Sequence, residues 1–390
     1  MKKPFVLISA AATLILLIGA AALLMGYVHT PPQPRAVQTF DAADEVGGFE
    51  AALEERTAGE AKYIRKLYSV QAGELPPQPK AACYGVTTDP QEVQAVIDAA
   101  AVLLDGQETF WNADIDFMPN SEMWYYRDES ILVIAWQEAI EGRGCSFVEV
   151  KLADGSQLRR KISGDSYRAA GLKTATELAA EDNAVMAVSG DFYVRRSIGI
   201  GVYGGELQYF SPIAVHTCMF TSGGDMLLLR PGDIQTWEDA EKFISDNDVE
   251  FSVNFGPILV ENGELQDLSS GYVYGEVDSK YSRCAIGQRG ELHYLIMTVC
   301  YEQNYGTCTA STEARFMHDK GVDTAYALDG GHTATIAMNG SAYNRPDWGW
   351  QNAISDVICF ASAEYDGSHS VGQKYVQLAQ IREQQGELEG

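Results

Sequence analysis

The chemistry this chain can support is concentrated where short apolar runs end in an acid. In Ala325-Tyr-Ala-Leu-Asp-Gly-Gly-His-Thr-Ala-Thr335 the apolar run stops at Leu328, and Asp329 stands where a strand would emerge from its sheet. Gly330 and Gly331 let the backbone turn there with no Cβ in the way. His332, Thr333 and Thr335 complete a polar group of side chains. A rigid strand aims such side chains, and ligands are commonly gripped at strand ends. A bare Asp-Gly-Gly equally suits a structural turn around a solvated aspartate. The pattern occurs again in Asn183-Ala-Val-Met-Ala-Val-Ser-Gly-Asp-Phe-Tyr193, where Gly190 and Asp191 follow the apolar run. Between the two lie Arg283-Cys-Ala-Ile-Gly287, a strand-like run from His293 to Val299, and the Gly/Thr-rich Gly306-Thr-Cys-Thr309. An amphipathic helix from Ser311 to Lys320 then leads directly into the strand that carries Asp329.

The elements that must position these residues alternate between helix and strand patterns. Asp89 caps a helix with Pro90 in its first turn; Val93, Val96, Ile97, Ala100, Leu103 and Leu104 form its apolar stripe and Gly106 ends it. Strands follow at Ile131–Trp136 and Ser146–Leu152, with a hairpin-type turn over Ala153-Asp-Gly-Ser156. A helix over Thr176–Asn183 feeds the strand ending near Asp191, and further hairpins are expected over 199–207 and 221–229. Thr236-Trp-Glu-Asp reads as a capping box for a helix reaching Asp246. Gly199-Ile-Gly-Val-Tyr-Gly is not a dinucleotide loop, because no helix pattern follows it. The expected fold class is α+β, or mixed α/β, with mixed β-sheets and flanking helices behind an N-terminal transmembrane helix and stalk.

Residues 5–25 carry no charge and follow Lys2 and Lys3. About 20 apolar residues span a bilayer core, and the preceding positive charges stay on the cytoplasmic side. An uncleaved anchor is preferred to a signal peptide, whose apolar core is usually shorter, about 7–15 residues. The expected organisation is a signal anchor over 1–26, a linker and stalk helix over 27–80, a helical lead-in over 81–120, the main domain over 121–362 and a polar tail over 363–390. The location implied is the cell membrane, single-pass, with the C-terminal domain outside. A net charge of −26 argues against a nucleic-acid partner. Seven cysteines form no Cys-x-x-Cys pair and no zinc spacing. Mostly free, buried thiols are expected, with a bond from Cys308 to Cys300 or Cys284 as the alternative.

In chain order, Ser189-Gly-Asp-Phe-Tyr193, Phe255-Gly-Pro-Ile-Leu-Val-Glu-Asn-Gly263, Arg283-Cys-Ala-Ile-Gly287, Leu328-Asp-Gly-Gly-His-Thr-Ala334 and Tyr343-Asn-Arg-Pro346 resemble the motifs of the phosphodiester glycosidase family, over roughly residues 120–362. That is the family of the lysosomal uncovering enzyme, with bacterial relatives that include exopolysaccharide-associated proteins. The resemblance implies hydrolysis of a sugar-1-phosphodiester at its glycosidic bond. Asp191 and Asp329 would then be the carboxylate pair and Arg283 the phosphate clamp, since a guanidinium fork matches phosphate oxygens. His332 would donate a proton or bind substrate. Thr333 and Asn344 would hydrogen-bond sugar hydroxyls, with Gly190, Gly330 and Gly331 permitting close backbone approach. Relatives commonly carry an arginine where this chain has Gly349-Trp-Gln-Asn352, so Arg345 becomes the substitute. Thr312 stands where a glutamate often opens the helix, with Glu313 beside it. Trp348 and Trp350 could stack on a sugar or simply pack. No cofactor is expected, Ca²⁺ or Mg²⁺ at the two aspartates being the alternative.

The resulting expectation is an exported, membrane-anchored hydrolase whose partner is a glycan or sugar-phosphate substrate. The rival expectation is a non-catalytic cell-surface polysaccharide-binding or exopolysaccharide assembly protein.

Overall fold

A computed structural model describes residues 68–164, 166–167, 171–194, 196–268, 277–300 and 307–365. The expected membrane anchor and residues 27–67 of the expected linker and stalk lie outside these residues; residues 68–80 hold the strand Tyr68–Ser69 and no helix, and no helix among the described residues is long and apolar enough to cross a membrane.

The framework is a nine-stranded antiparallel sheet. Its middle is the hairpin Ile131–Ile140 and Arg143–Leu152, paired from Ile131↔Leu152 to Ile140↔Arg143. The two connecting residues, Glu141 and Gly142, both have positive φ (52° and 74°), the geometry that matches the twist of a tight hairpin. His293–Val299, Arg283–Gln288, Thr324–Leu328 and Ile258–Glu261 extend the sheet on one side, and Met123–Arg127 and Tyr84–Thr87 on the other. The long apolar runs are explained by burial on both faces. Ile131, Val133, Val148 and Val150 enter one core, while Leu132, Ile134, Trp136 and Phe147 enter the other. Side chains that alternate along a strand must then be apolar at every position.

One face is covered by the helices Pro90–Asp98, Ala101–Leu104 and Ala310–Asp319, through Val93, Ile97, Leu103, Phe316 and Met317. Asp89 and Thr309 cap two of them by accepting from the amides of Gln91 and Thr312. The other face meets two five-stranded antiparallel sheets. The first runs in the order Ser341–Ala342, Ile336–Met338, Ala184–Ser189, Asp356–Ala361, Leu158–Ile162, and the helix Ala175–Glu181 packs on its outer side. The second contains the expected hairpins, Gly199–Tyr203 with Glu206–Ser211 and Thr217–Thr221 with Met226–Leu229, backed by the helix Trp237–Asp246. Sheets with flanking helices are therefore present, with strand greatly outweighing helix.

The chain departs from the expected path at Ala153-Asp-Gly-Ser156. Asp154 caps a 3₁₀ turn over Gly155–Gln157 with a capping box. The turn carries the chain out of the large sheet into Leu158–Ile162 of the first five-stranded sheet rather than back along the strand it left. A short ladder joins Tyr68–Ser69 to Glu364–Tyr365. None of the seven cysteines forms a disulfide, six of them being buried and Cys83 half-buried; the alternative Cys308 bond does not form.

Candidate active site

The two aspartates from distant motifs meet where the large sheet adjoins the first five-stranded sheet. Asp329 directly follows the strand Thr324–Leu328, and Asp191 lies two residues past Ala184–Ser189. The Asp329 amide donates to the Gly190 carbonyl at 3.0 Å, so the two strand ends are stitched together. A third carboxylate enters from Asp356, the first residue of Asp356–Ala361. Its Oδ1 accepts from the Asp191 amide at 2.9 Å. A Cβ on Gly190 would lie 2.5 Å from Asp356 Oδ2, and one on Gly330 would lie 2.6 Å from the Ser282 carbonyl oxygen. These glycines make room for a protein carboxylate and a protein carbonyl. Gly331 takes a positive φ of 63° and donates to that same carbonyl.

Asp191 is 2% exposed and its oxygens are occupied. Oδ1 accepts from the Phe192 amide at 2.6 Å and Oδ2 from the Asn254 amide at 2.8 Å. The cation in this cluster is Arg160. Its Nε donates to Asp356 Oδ2 at 2.6 Å, and Nη2 lies 3.8 Å from Asp191 Oδ2. Tyr167 and Tyr193 flank the guanidinium, with ring centroids 5.4 and 5.0 Å away. Neither Arg160 nor Asp356 stands out in the sequence motifs. A signal did exist. In Leu158-Arg-Arg-Lys-Ile162 positions 158, 160 and 162 are buried while 159 and 161 are half-buried, so Arg160 occupies an apolar slot of a period-two strand.

Asp329 differs from its neighbours. It lines a pocket of about 130 Å³ together with Thr333, Phe192, Asn352, Ile354 and Ser355. Burial, first of all, raises its carboxyl to about 7. The charges of Asp191 and Asp356 add to that rise, and the Thr333 hydroxyl and Arg196 oppose it. Asp356 is also raised by burial, against the pull of Arg160.

The remaining candidates take other positions. Arg283, the expected phosphate clamp, donates from Nε to the Cys308 carbonyl at 3.1 Å and from Nη2 to the Ser279 carbonyl at 2.7 Å. Its charge also acts on Glu313, a fully buried acid raised to about 8 by desolvation. Asn344, expected on sugar hydroxyls, is buried and holds its own loop: Oδ1 accepts from the Ile336 amide, and Nδ2 reaches the Ala334 carbonyl and Cys300 Sγ. Arg345 is exposed. Thr333 lines the pocket while its hydroxyl donates to the Gly330 carbonyl at 2.6 Å. His332 stacks on Trp348 at 3.4 Å between centroids, with Nδ1 3.5 Å from Asp347 Oδ2. Among the described residues no three His, Cys, Asp or Glu side chains gather as a metal-binding group.

A buried acid poised near neutrality on the wall of an open pocket is equipment for acid–base chemistry. Residues 182–361, which hold all three aspartates, match the model of the phosphodiester glycosidase family. Arg160 lies before the matched span. Among solved structures the chain is similar to the catalytic domain of zebrafish N-acetylglucosamine-1-phosphodiester alpha-N-acetylglucosaminidase auto-inhibited by its pro-peptide, at 17% identity and a TM-score of 0.48, over 77% of this chain and 93% of that one. It is also similar to a hypothetical protein from Synechocystis, at 13% identity and a TM-score of 0.44, over 60% of this chain and 62% of that one. The chain thus spans less than two thirds of the Synechocystis protein's length. No curated protein matches it.

Proposed function

We propose that this protein hydrolyses the glycosidic bond of a sugar-1-phosphodiester of the N-acetylglucosamine-1-phosphodiester type, acting on a cell-surface glycan from an exported, membrane-anchored position. The observation that carries the reading is the Asp329 carboxyl on the pocket wall, raised to about 7 by burial and by two acidic neighbours. The leaving phosphate is already a good leaving group, so the step that needs help is activation of water. Ionised Asp329 takes a proton from water as its oxygen attacks the anomeric carbon. The bond from that carbon to the phosphate oxygen breaks, and the phosphate monoester departs with the electron pair. A base of raised pKa serves this step better than an ordinary aspartate. Asp191 and Asp356 keep it raised, and Arg160 makes their proximity tolerable. The apolar run 5–25 and the outward topology it implies support the cell-surface assignment.

The test is incubation of the full chain with an N-acetylglucosamine-1-phosphodiester bearing a chromogenic aglycone. Sugar release that disappears in Asp329→Asn is expected. No release, or release unaffected by that substitution, overturns the proposal.

One observation favours a second reading, glycan binding without turnover. Gln351, in the stretch where relatives commonly carry an arginine, directs Oε1 to the Thr176 amide and hydroxyl at 3.2 and 3.3 Å, which joins it to the helix Ala175–Glu181. Tight glycan binding with no sugar release would select this reading.

A further inference from the structure

Arg160 is buried and is not among the residues that line the Asp329 pocket. It nevertheless holds two stretches of chain that do. Phe192 and Val194 line the pocket from one stretch, and residues 352–355 from the other. Tyr193, between Phe192 and Val194, is buried with its ring centroid 5.0 Å from the guanidinium carbon. Asp356, which follows Ser355 directly, accepts from Arg160 Nε at 2.6 Å. Nη1 donates to the Ser252 carbonyl, on the strand Val249–Val253 of the second five-stranded sheet. Arg160 itself stands on Leu158–Ile162, at the edge of the first five-stranded sheet. One side chain therefore ties both stretches to each other and to both sheets.

A guanidinium suits this task because its fork donates in several directions while its flat face rests on an aromatic ring. A lysine would bring a single point of charge. Backbone near the two acids is already joined: Ser355 Oγ donates to the Asp191 carbonyl at 2.8 Å, and the Asp191 amide to Asp356 Oδ1 at 2.9 Å. Past Ser189, however, the chain has left its strand. Where Phe192 and Val194 fall then depends on where the Tyr193 ring between them is anchored. We infer that Arg160 is a positioning residue for the reaction at Asp329, holding the two stretches of pocket wall at a fixed separation through Tyr193 and Asp356. The inference rests on the hydrolase reading of that pocket. It adds a geometric role to the charge that Arg160 supplies between Asp356 and Asp191. Substrate feels Arg160 only through these walls, so its loss changes how a bound phosphodiester lies against Asp329. Arg160 also lies outside the span 182–361 that matches the family model.

The experiment separates position from stability. The full chain carrying Arg160→Met, alone and with Asp356→Asn, is assayed on the chromogenic N-acetylglucosamine-1-phosphodiester at a temperature where each variant is folded. Calorimetry on the same variants in the Asp329→Asn background gives Kd for the same compound. The double variant loses one charge of each sign, so no unpaired charge is left in the interior and part of the stability returns. KM is a property of the folded molecules, whereas the total rate also follows their number. Expected is a raised KM and Kd in both variants, with kcat/KM lowered by about 10- to 100-fold, the scale of a displacement of about 1 Å at the reacting atoms. Recovery of KM along with stability in the double variant would make Arg160 merely structural and overturn the inference. An unchanged KM and Kd in Arg160→Met would do the same. If neither Arg160 variant folds, Tyr193→Leu decides, since it takes the ring from beside the guanidinium and should raise KM. Failure of the hydrolase reading looks different: the unsubstituted protein binds the compound and releases no sugar, and Kd alone then decides the inference. With neither binding nor release, both fall.

Discussion

Two buried carboxylates lie in this protein under nearly equal exclusion of water, and they are built for opposite purposes. Glu149, 0% exposed on the strand Arg143–Leu152, accepts from the amides of Phe110 and Trp111 at 3.1 and 3.0 Å and lies 2.6 Å from His293 Nε2. It pins the lead-in segment to the large sheet. Asp329, 7% exposed, borders a pocket and has two acids as neighbours. Around Glu149 two amides and the His293 ring supply hydrogen-bond partners, whereas burial penalises the charge of Asp329. At Asp329 like charges add to it, and the result is a proton held near neutral pH in contact with solvent. On the proposed reading, reactivity comes from leaving a buried acid under-compensated beside an opening.

The largest test of this contrast removes the reactive group. Asp329→Asn should lower kcat on a sugar-1-phosphodiester by about 10²- to 10⁴-fold, the usual worth of a positioned acid or base, whereas Glu149→Gln should leave kcat near its original value. The same pair separates in stability. The folded-state value of Asp329 lies above its unfolded one, so the native state keeps a proton that the unfolded chain releases between about pH 4 and pH 7. The stability this proton contributes is full below about pH 4 and is lost as pH rises through about 7. Denaturation at pH 8 should therefore find Asp329→Asn more stable than the parent by on the order of 2–4 kcal/mol.

A comparable effect is expected from Arg160→Met. It strands Asp356 and Asp191 in a fully buried cluster, and breaking a buried pair typically costs about 3–5 kcal/mol. The midpoint of denaturation should fall accordingly, and Arg160→Met combined with Asp356→Asn should recover part of the loss. Full stability in Arg160→Met alone would mean that the cluster does not need its cation. Glu149→Gln comes next, at about 1–3 kcal/mol, because it removes one acceptor from three donors. A loss of kcat in that variant at a temperature where it is folded would erase the division between the two carboxylates.

The sequence exposes this division unevenly. Acids at the ends of apolar runs point to Asp329 and Asp191, because strand periodicity and a following glycine are local signals. Helix caps at Asp89 and Thr236 are equally local, and the helices begin there. Which acid faces solvent is not local. Asp191 is closed off by amides of Phe192 and Asn254, the latter 63 residues away in sequence. Arg283 and Asn344 carry the right chemistry in the right motifs, but their partners are the carbonyls of Cys308, Ser279 and Ala334, which no sequence spacing reveals. Arg160 and Asp356 sit inside strands, where alternation marks a position as inward and says nothing of what awaits it across the sheet.

The smallest effect is the most discriminating. The Thr333 hydroxyl lies beside Asp329 with its proton on the Gly330 carbonyl, and by turning that proton to the ionised carboxylate it favours the charged form of Asp329 against burial and against its acidic neighbours. Thr333→Val keeps the shape of the side chain and removes that donor. If Asp329 works as a base, the rate rises with pH as it ionises, with a limb near pH 7. Loss of the hydroxyl makes ionisation harder, so the limb should move to higher pH while the rate on the alkaline plateau changes little. A downward shift would show that the hydroxyl favours the protonated form. An unmoved limb would assign the titration to a group outside this pocket, and Asp329 would then stand beside Glu149 as a structural acid. The pH–rate profile of this single variant therefore decides whether under-compensation at Asp329 is functional.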